Sequence, residues 1–348
     1  SKVDAPKNVV IPSVINGTPV EKIGSRAFAG HQLTSVVIPS SVKEIGDEGF
    51  ANNPSISSIT LNEGLVSMGV EAFGSTSITS INIPASLTTM GEYAFAGSTS
   101  LKTITFAPNN QLKVIPAGAF SATAIKSITI PDSVKVIGGS AFAGSKLENI
   151  TFGENSKLEE IGDWAFSSTP LKAVILPDTV KTIGGFAFRG TKLKTITIPD
   201  SVTTIGSDAF GRTDLLKEIK IPTKNRGEIT GEPWGNKVGL VYWKDNLKIG
   251  PYVYDVTQKK IVKYIGTTPD AELDIPNELE KDGVKYPVEG ILSYAFYGAD
   301  ISSVNIPNSV KDIGLGAFEG VKNPIDVTFS ANSKLKNLPW GSFARSKI

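Results

Sequence analysis

The sequence feature that most constrains the fold is an Ala-Phe step that returns at nearly constant intervals. The phenylalanine of this step, or of a close variant, stands at Phe28, Phe50, Phe73, Phe95, Phe120, Phe142, Phe166, Phe188 and Phe210, and again at Phe296, Phe318 and Phe343. Within the first series the rings are 22 to 25 residues apart. A period of this length is typical of solenoids, in which one repeat cannot close a core and stacked repeats can.

The repeat at residues 193–210 shows how each unit is built. Its first part reads Leu-Lys-Thr-Ile-Thr-Ile-Pro and alternates with a period of two. This alternation predicts a strand with Ile196 and Ile198 directed inward and Thr195 and Thr197 directed outward. The proline that follows has no N–H, so it ends the pairing of the strand.

The second part of the same repeat returns apolar side chains to the interior. Val202, Ile205, Ala209 and Phe210 supply them, and we expect Gly206 to permit a backbone turn that a β-branched residue would resist. Strands of successive repeats are predicted to form one parallel sheet with a spacing of about 4.8 Å. Helical repeats are excluded because Pro and Gly recur inside every period.

The pattern L-x-x-I-x-I-P-x-x-V-x-x-I-G-x-x-A-F resembles the BspA-like leucine-rich repeat family. The resemblance recurs about a dozen times along the chain. It implies a β-rich, right-handed leucine-rich repeat superhelix with a parallel sheet. It also implies a bacterial surface or secreted protein that adheres to host matrix proteins or to other microbes, and therefore an extracellular location.

The pattern divides the chain into two arrays and a joint. We expect a first array at residues 1–237, whose terminal repeat carries Trp234, and a second array at 271–348. Residues 238–270 leave the pattern and alternate around turn residues, which predicts a small β-hairpin joint or cap. The lack of a signal sequence at the start, and an end at the point where the next repeat would begin, suggest a fragment of a longer precursor.

Composition argues against enzyme chemistry. The chain has no cysteine and a single histidine, His31, which we expect in a surface turn. One imidazole is a poor start for a catalytic triad and cannot build a histidine metal site. We therefore expect no catalytic residues, no cofactor and no metal. The formal net charge of +1 gives no general attraction to nucleic acid, and no apolar run is long enough to span a membrane.

The outward strand positions are the most informative candidate site. They read Ser35/Val37, Ser58/Thr60, Ser80/Asn82, Thr103/Thr105, Ser127/Thr129, Asn149/Thr151, Ala173/Ile175, Thr195/Thr197, Glu218/Lys220 and Ser303/Asn305. This ladder of hydroxyls and amides either reflects strand propensity and cross-strand pairing, or forms a flat surface for an extended peptide or glycan. The apolar Ile175 interrupts it.

Two sets of residues are therefore candidate partner contacts. On the sheet they are Thr105, Thr129, Thr151, Ala173, Ile175 and Thr197, and in the joint they are Tyr242 and Trp243. The joint also holds Tyr252, Tyr254 and Tyr264, which could either bind a partner or cap a solenoid end.

These observations predict a non-catalytic, monomeric surface protein that binds a protein partner through its repeat faces. Two alternatives stay open. One is a polysaccharide- or cell-wall-binding module, favoured by the hydroxyl ladder and the joint aromatics. The other is a structural stalk that holds another domain away from the surface.

Overall fold

The computed structural model describes residues 8–221, 240–243, 246–322 and 325–344, with the side chains of 240–243 left aside. These residues form about 13 turns of a parallel-strand β-solenoid and contain no helix. The described residues fall into two compact units, the first ending at Leu215 and the second beginning at Leu216. The predicted repeat solenoid is confirmed.

The strands of the first unit are short, and most repeats contain two of them. They are β1 (Asn8–Val10), β2 (Val14–Ile15), β3 (Thr18–Pro19), β4 (Lys22–Ile23), β5 (Ser35–Val37), β6 (Glu44–Ile45), β7 (Ser58–Thr60), β8 (Ser67–Met68), β9 (Ser80–Ile83), β10 (Thr89–Met90), β11 (Thr103–Phe106), β12 (Val114–Ile115), β13 (Ser127–Ile130), β14 (Val136–Ile137), β15 (Asn149–Phe152), β16 (Glu160–Ile161), β17 (Thr182–Ile183), β18 (Thr195–Thr197) and β19 (Thr204–Ile205).

Backbone hydrogen bonds join successive coils of the first unit along three rows. The front row contains the longer strands and pairs in parallel, as in β13 and β15, where Ile128 lies opposite Ile150. The second row consists of the two-residue strands, ordered β4-β6-β8-β10 and β12-β14-β16-β17-β19. The third row lies at the Ala-Phe turns, where the N–H of Phe142 donates to the carbonyl of Ala165 at 2.8 Å. The repeat therefore stacks without an α-helix.

The phenylalanines form a continuous column inside the first unit, as predicted. Rings from Phe28 to Phe210 stack with centroids 5.2 to 5.7 Å apart. From Phe50 to Phe210 each ring is 0% exposed, whereas Phe28, in the first coil, is half-buried because it has a ring on one side only. Ile196, Ile198 and the other inward aliphatic groups of each repeat pack around the column.

A buried polar side chain stands three residues after each ring from Phe50 to Phe210, and most of these side chains close the turn with a hydrogen bond. Thr123 and Thr169 donate their hydroxyl hydrogen bonds to the carbonyls of Phe120 and Phe166, both at 2.8 Å. Asn53 does the same with its amide, donating to the Phe50 carbonyl at 2.9 Å. These bonds satisfy carbonyls that the stacking would otherwise bury without partners.

The glycine after the second-row strand has a different role from the predicted one. Gly206 does not adopt the left-handed backbone conformation; instead, a Cβ placed on it would lie 2.3 Å from the backbone nitrogen of Gly185 in the preceding coil. Glycine is required here because two coils approach closely, and the left-handed conformation falls two residues later in the turn, at Asp208 (φ 51°).

The second unit contains further parallel rows and one antiparallel meander. Its strands are β20 (Glu218–Ile221), β21 (Leu240–Trp243), β22 (Leu247–Ile249), β23 (Tyr252–Asp255), β24 (Lys260–Tyr264), β25 (Ala271–Asp274), β26 (Glu278–Lys281), β27 (Val284–Pro287), β28 (Gly290–Ile291), β29 (Ile301–Ile306), β30 (Asp312–Ile313) and β31 (Asp326–Phe329). β22, β23 and β24 pair antiparallel, and β24 then pairs in parallel with β28.

The meander covers the start of the phenylalanine column in the second unit. The Tyr264 ring stacks on Phe296 at 5.4 Å, and its N–H donates to the Ala295 carbonyl at 2.7 Å, as an Ala-Phe turn would. Tyr252 and Tyr254 are also buried, and burial raises the pKa of both phenols to about 12. These three tyrosines therefore have capping positions and are not available as partner contacts.

Residues 240–243 differ from the predicted joint. β21 pairs in parallel with β20, so that Tyr242 lies opposite Lys220, and the pairing of a repeat strand continues there. The antiparallel part begins only at Leu247. The division of the chain at residues 237 and 271 stays a prediction, and Trp234 lies outside the described residues.

A candidate binding groove on the front row

The outward side chains of the front row mostly bond to each other. Thr129 and Thr151 share a hydroxyl hydrogen bond of 2.8 Å across neighbouring strands. Thr105 donates to the Asn82 side-chain oxygen at 2.9 Å. Ile128, which points inward between Ser127 and Thr129 on β13, is only 4% exposed. The predicted alternation is confirmed, and much of the hydroxyl ladder serves to pair the strands.

A groove runs along this face over four successive coils. It consists of two clefts of about 670 and 680 Å³, which share Asn149, Thr151 and Gly153 and so continue into each other. Its lining residues are 103–110, 127–133, 149–154, 156 and 173–179. Four coils at the usual strand spacing give a groove about 15 Å long, equal to about four or five residues of extended peptide. We call it the front groove.

Ile175 is the most exposed apolar group of the front groove, at 88%. The strand pairing of the front row is interrupted beside it, as it is between β7 and β9 and between β11 and β13, because Asn149 and Ala173 form only an isolated bridge. The half-buried rings of Phe106 and Phe152 add further apolar surface. An apolar centre of this kind, surrounded by polar groups, is typical of protein interfaces.

The two long edges of the front groove differ in charge, since one has carboxylates and the other has lysines together with Glu148. Asp132, Glu154 and Asp178 follow the strands and line one edge. Lys126 and Lys172 precede the strands, so they lie toward the other edge.

Two details of these edges affect how a partner could bind. Lys172 forms an ion pair with Glu148, and its hydrogen bond holds the pKa of that exposed carboxyl below the usual value. On the acidic edge, Oδ1 of Asp132 is buried and accepts no hydrogen bond within the described part of the chain. It packs against the backbone of Gly153, where it would collide with an added Cβ, so it is not open to a partner.

The structure brings together five of the eight predicted contact residues. Thr105, Thr129, Thr151, Ala173 and Ile175 all line the front groove. Thr197 is exposed on β18 but is not among the lining residues. For Tyr242 and Trp243 the side chains lie outside what the structure describes. That these residues contact a partner remains a prediction.

The two aromatic rings of the front groove, Phe106 and Phe152, were not predicted from the sequence. Phe106 lies opposite Ile83, and Phe152 lies opposite Ile130, in the register of the front row. The isoleucines at this register position are fully buried, whereas both phenylalanines remain half exposed. A phenylalanine in place of the isoleucine usual at this position was therefore the sequence feature from which the two exposed rings could have been predicted.

His31 lies where the sequence analysis expected it. Its ring is exposed, and Nδ1 lies 2.9 Å from the carbonyl oxygen of Ala29 within the same turn. Across the described ranges, no three His, Asp or Glu side chains gather closely enough to hold a metal ion. Those ranges also contain no helix that could cross a bilayer.

Several solved structures are similar to this chain. A leucine-rich repeat protein from Bacteroides ovatus is 26% identical, with a TM-score of 0.60, and the match covers 97% of this chain and 93% of that one. The pneumococcal vaccine antigen PcpA is 19% identical over 97% of this chain and 78% of its own, with a TM-score of 0.49. A leucine rich cell surface protein from Faecalibacterium prausnitzii is 24% identical over 97% and 73%, with a TM-score of 0.38.

The family comparison agrees with the repeat pattern. Among curated protein sequences no significant match is found. The model of the BspA type leucine rich repeat region matches six copies, over residues 21–148, 113–230 and 283–348, which together cover well over half of the sequence. The chain therefore belongs to the BspA-type leucine-rich repeat family.

Proposed function

We propose that this chain is a non-catalytic surface protein of a bacterium that adheres to a partner protein, on a host or on another microbe, through the front groove. Family and fold are compatible with protein binding. The observation that carries the proposal is Ile175, an almost fully exposed isoleucine in a coil where the sheet pairing is reduced to an isolated bridge. Leaving this side chain in water has no stabilising effect on the fold, whereas a partner that covers it gains hydrophobic free energy.

The bound element in this proposal is a short extended segment of the partner. The length of the front groove fits about four or five such residues. One apolar side chain of the segment would cover Ile175, and its charged groups would meet the acidic and basic edges. The hydroxyl ladder contributes less, because Thr129 and Thr151 already bond to each other.

Substitution of Ile175 by lysine is expected to abolish binding without loss of stability. The side chain is 88% exposed, so the folded state tolerates a charge there. A charge placed at the centre of an interface, by contrast, must be desolvated when the partner binds. The measurement is selection from a displayed peptide library and binding to a panel of purified extracellular matrix proteins, each followed by titration.

Val37→Lys is the matched control for this experiment. Val37 has the same outward position on β5, is 54% exposed and lies away from the front groove. Ligands that bind the wild type and the Val37 variant but not the Ile175 variant support the proposal. Saturable ligands that bind all three equally, or a folded wild type that binds nothing in either panel, would contradict it.

A further inference from the structure

A second exposed surface lies on the turn face, which we define as the residues two before each phenylalanine of the column. In the first unit these are Arg26, Glu48, Glu71, Tyr93, Gly118, Ser140, Trp164, Phe186 and Asp208, all with φ between 51° and 62°. Left-handed backbone is costly for a bulky residue, and aspartate or glycine adopts it more easily. Three aromatic residues in this row are therefore unusual.

Trp164 and Phe186 form a stacked pair on this surface. Their ring centroids are 4.2 Å apart with an interplanar angle of 12°. Trp164 is nevertheless 38% exposed, so its outer face is not buried against the solenoid. The pair presents a flat, rigid aromatic face to the surroundings.

Arg189 lies beside the stack and leaves the outer face of Trp164 open. Its guanidinium carbon is 5.5 Å from the Trp164 ring and 5.7 Å from the Phe186 ring. Because the two distances are nearly equal, the guanidinium lies alongside the pair; on the outer indole face it would be several ångströms farther from Phe186. Arg189 forms no ion pair with any described residue. Within the part of the chain that the structure describes, its donors are free for a ligand.

Small residues keep the space in front of Trp164 open. Ser140 occupies the turn position in the coil before it, and Gly118 the coil before that. The ring of Tyr93, itself 41% exposed, lies against Gly118, since a Cβ there would be 2.2 Å from Cδ1 of Tyr93. Two coil spacings, about 10 Å, thus separate Gly118 from the Trp164 coil. This is room for one pyranose ring with van der Waals contacts of about 4 Å on each side.

We propose that the turn face around Trp164 is a binding site for neutral glycans, separate from the front groove. The C–H face of a sugar ring carries a partial positive charge and packs on the negative face of the indole. Arg189 donates hydrogen bonds to sugar hydroxyls, and the exposed Asp163, whose Oδ1 already accepts from the N–H of Gly185, accepts one through its other carboxylate oxygen. Both signs of charge are present, so the surroundings do not favour an ionic ligand. They are also too polar for an apolar peptide.

The test is binding of the whole chain to a panel of immobilised neutral oligosaccharides of glucose, galactose, mannose and N-acetylglucosamine. Titration of any bound oligosaccharide follows, read by tryptophan fluorescence and by calorimetry. Trp164→Ala is expected to weaken binding by about tenfold, the loss of one stacked ring contact. Trp164→Phe keeps a flat ring and is expected to retain most of the affinity. Thermal unfolding of each variant shows that the fold is intact.

Trp340→Ala is the matched control, because Trp340 is a second exposed tryptophan, at 86%, far along the chain. It is expected to bind like the wild type, as is Ile175→Lys in the front groove. The proposal is overturned if no oligosaccharide binds saturably, if Trp164→Ala binds as the wild type does, or if Trp340→Ala loses as much. A ligand at Trp164 that proves to be a peptide also overturns it.

Discussion

Replacing Phe142 by alanine is expected to lower the free energy of unfolding by about 3–5 kcal/mol. The ring is 0% exposed and stacks between Phe120 and Phe166, with both centroid distances 5.5 Å. Its removal leaves a cavity in the middle of the column, and the backbone ladders on three sides prevent the coils from collapsing into it. Urea denaturation followed by circular dichroism measures the change.

Phe28→Ala is the internal control for this prediction. Phe28 belongs to the same column but is half-buried and stacks on Phe50 alone. Its loss is expected to cost less than half as much, because fewer contacts disappear and water fills the space. Equal losses for the two variants would show that the column is not the principal source of stability.

A methyl group at Gly91 is expected to destabilise the protein by about 1–3 kcal/mol, although it buries an additional apolar group. The new Cβ would lie 2.2 Å from the carbonyl carbon of Gly69 and 2.3 Å from the nitrogen of Val70. The atoms in the way are backbone, so the two coils must move apart and weaken the second-row hydrogen bonds. Thermal and urea unfolding of Gly91→Ala measure this cost.

Two other repeats have a side chain where Gly91 stands, which limits the destabilisation expected from Gly91→Ala. Pro116 and Leu292 occupy the corresponding place in their own coils, so a local shift can accommodate a side chain. Gly144→Ala is the comparison, because Gly144 has no atom within 4 Å of an added Cβ and only its φ of 66° is unfavourable. It is expected to cost about 1 kcal/mol. A greater loss for Gly144→Ala than for Gly91→Ala would contradict this account of the repeat glycine.

Because the phenylalanine column stabilises the fold, the surface sites can be substituted without changing that stability much. Each repeat supplies its inward positions to the core, and the outward positions of the front row and the turn face contribute little to stability. Ile175 and Trp164 are therefore open to substitution without unfolding. This separation is why the binding variants can be interpreted as changes in affinity.

The capping meander shows where sequence periodicity stops being informative. The chain between 247 and 264 has no Ala-Phe step, yet Tyr264 takes the place of a column ring. The pattern alone could not decide between capping and ligand binding for Tyr252, Tyr254 and Tyr264. Their burial in the second unit decides in favour of capping.

The amino-acid sequence by itself determined the repeat, the inward positions and the parallel stacking. It could do so because a period of about 22 residues with alternating apolar groups leaves one way to bury them all. It also identified Ile175 as an exception, since an apolar residue stood where the ladder is polar.

Only the tertiary structure decided which residues of neighbouring coils are in contact. Residues 22 to 25 positions apart come within about 5 Å, and no local pattern shows which of them touch. The close backbone approach at Gly206, the groove joining Thr105 to Ile175 and the stacking of Trp164 on Phe186 all arise between coils. Contacts across the stack depend on register and spacing, which the folded chain sets as a whole.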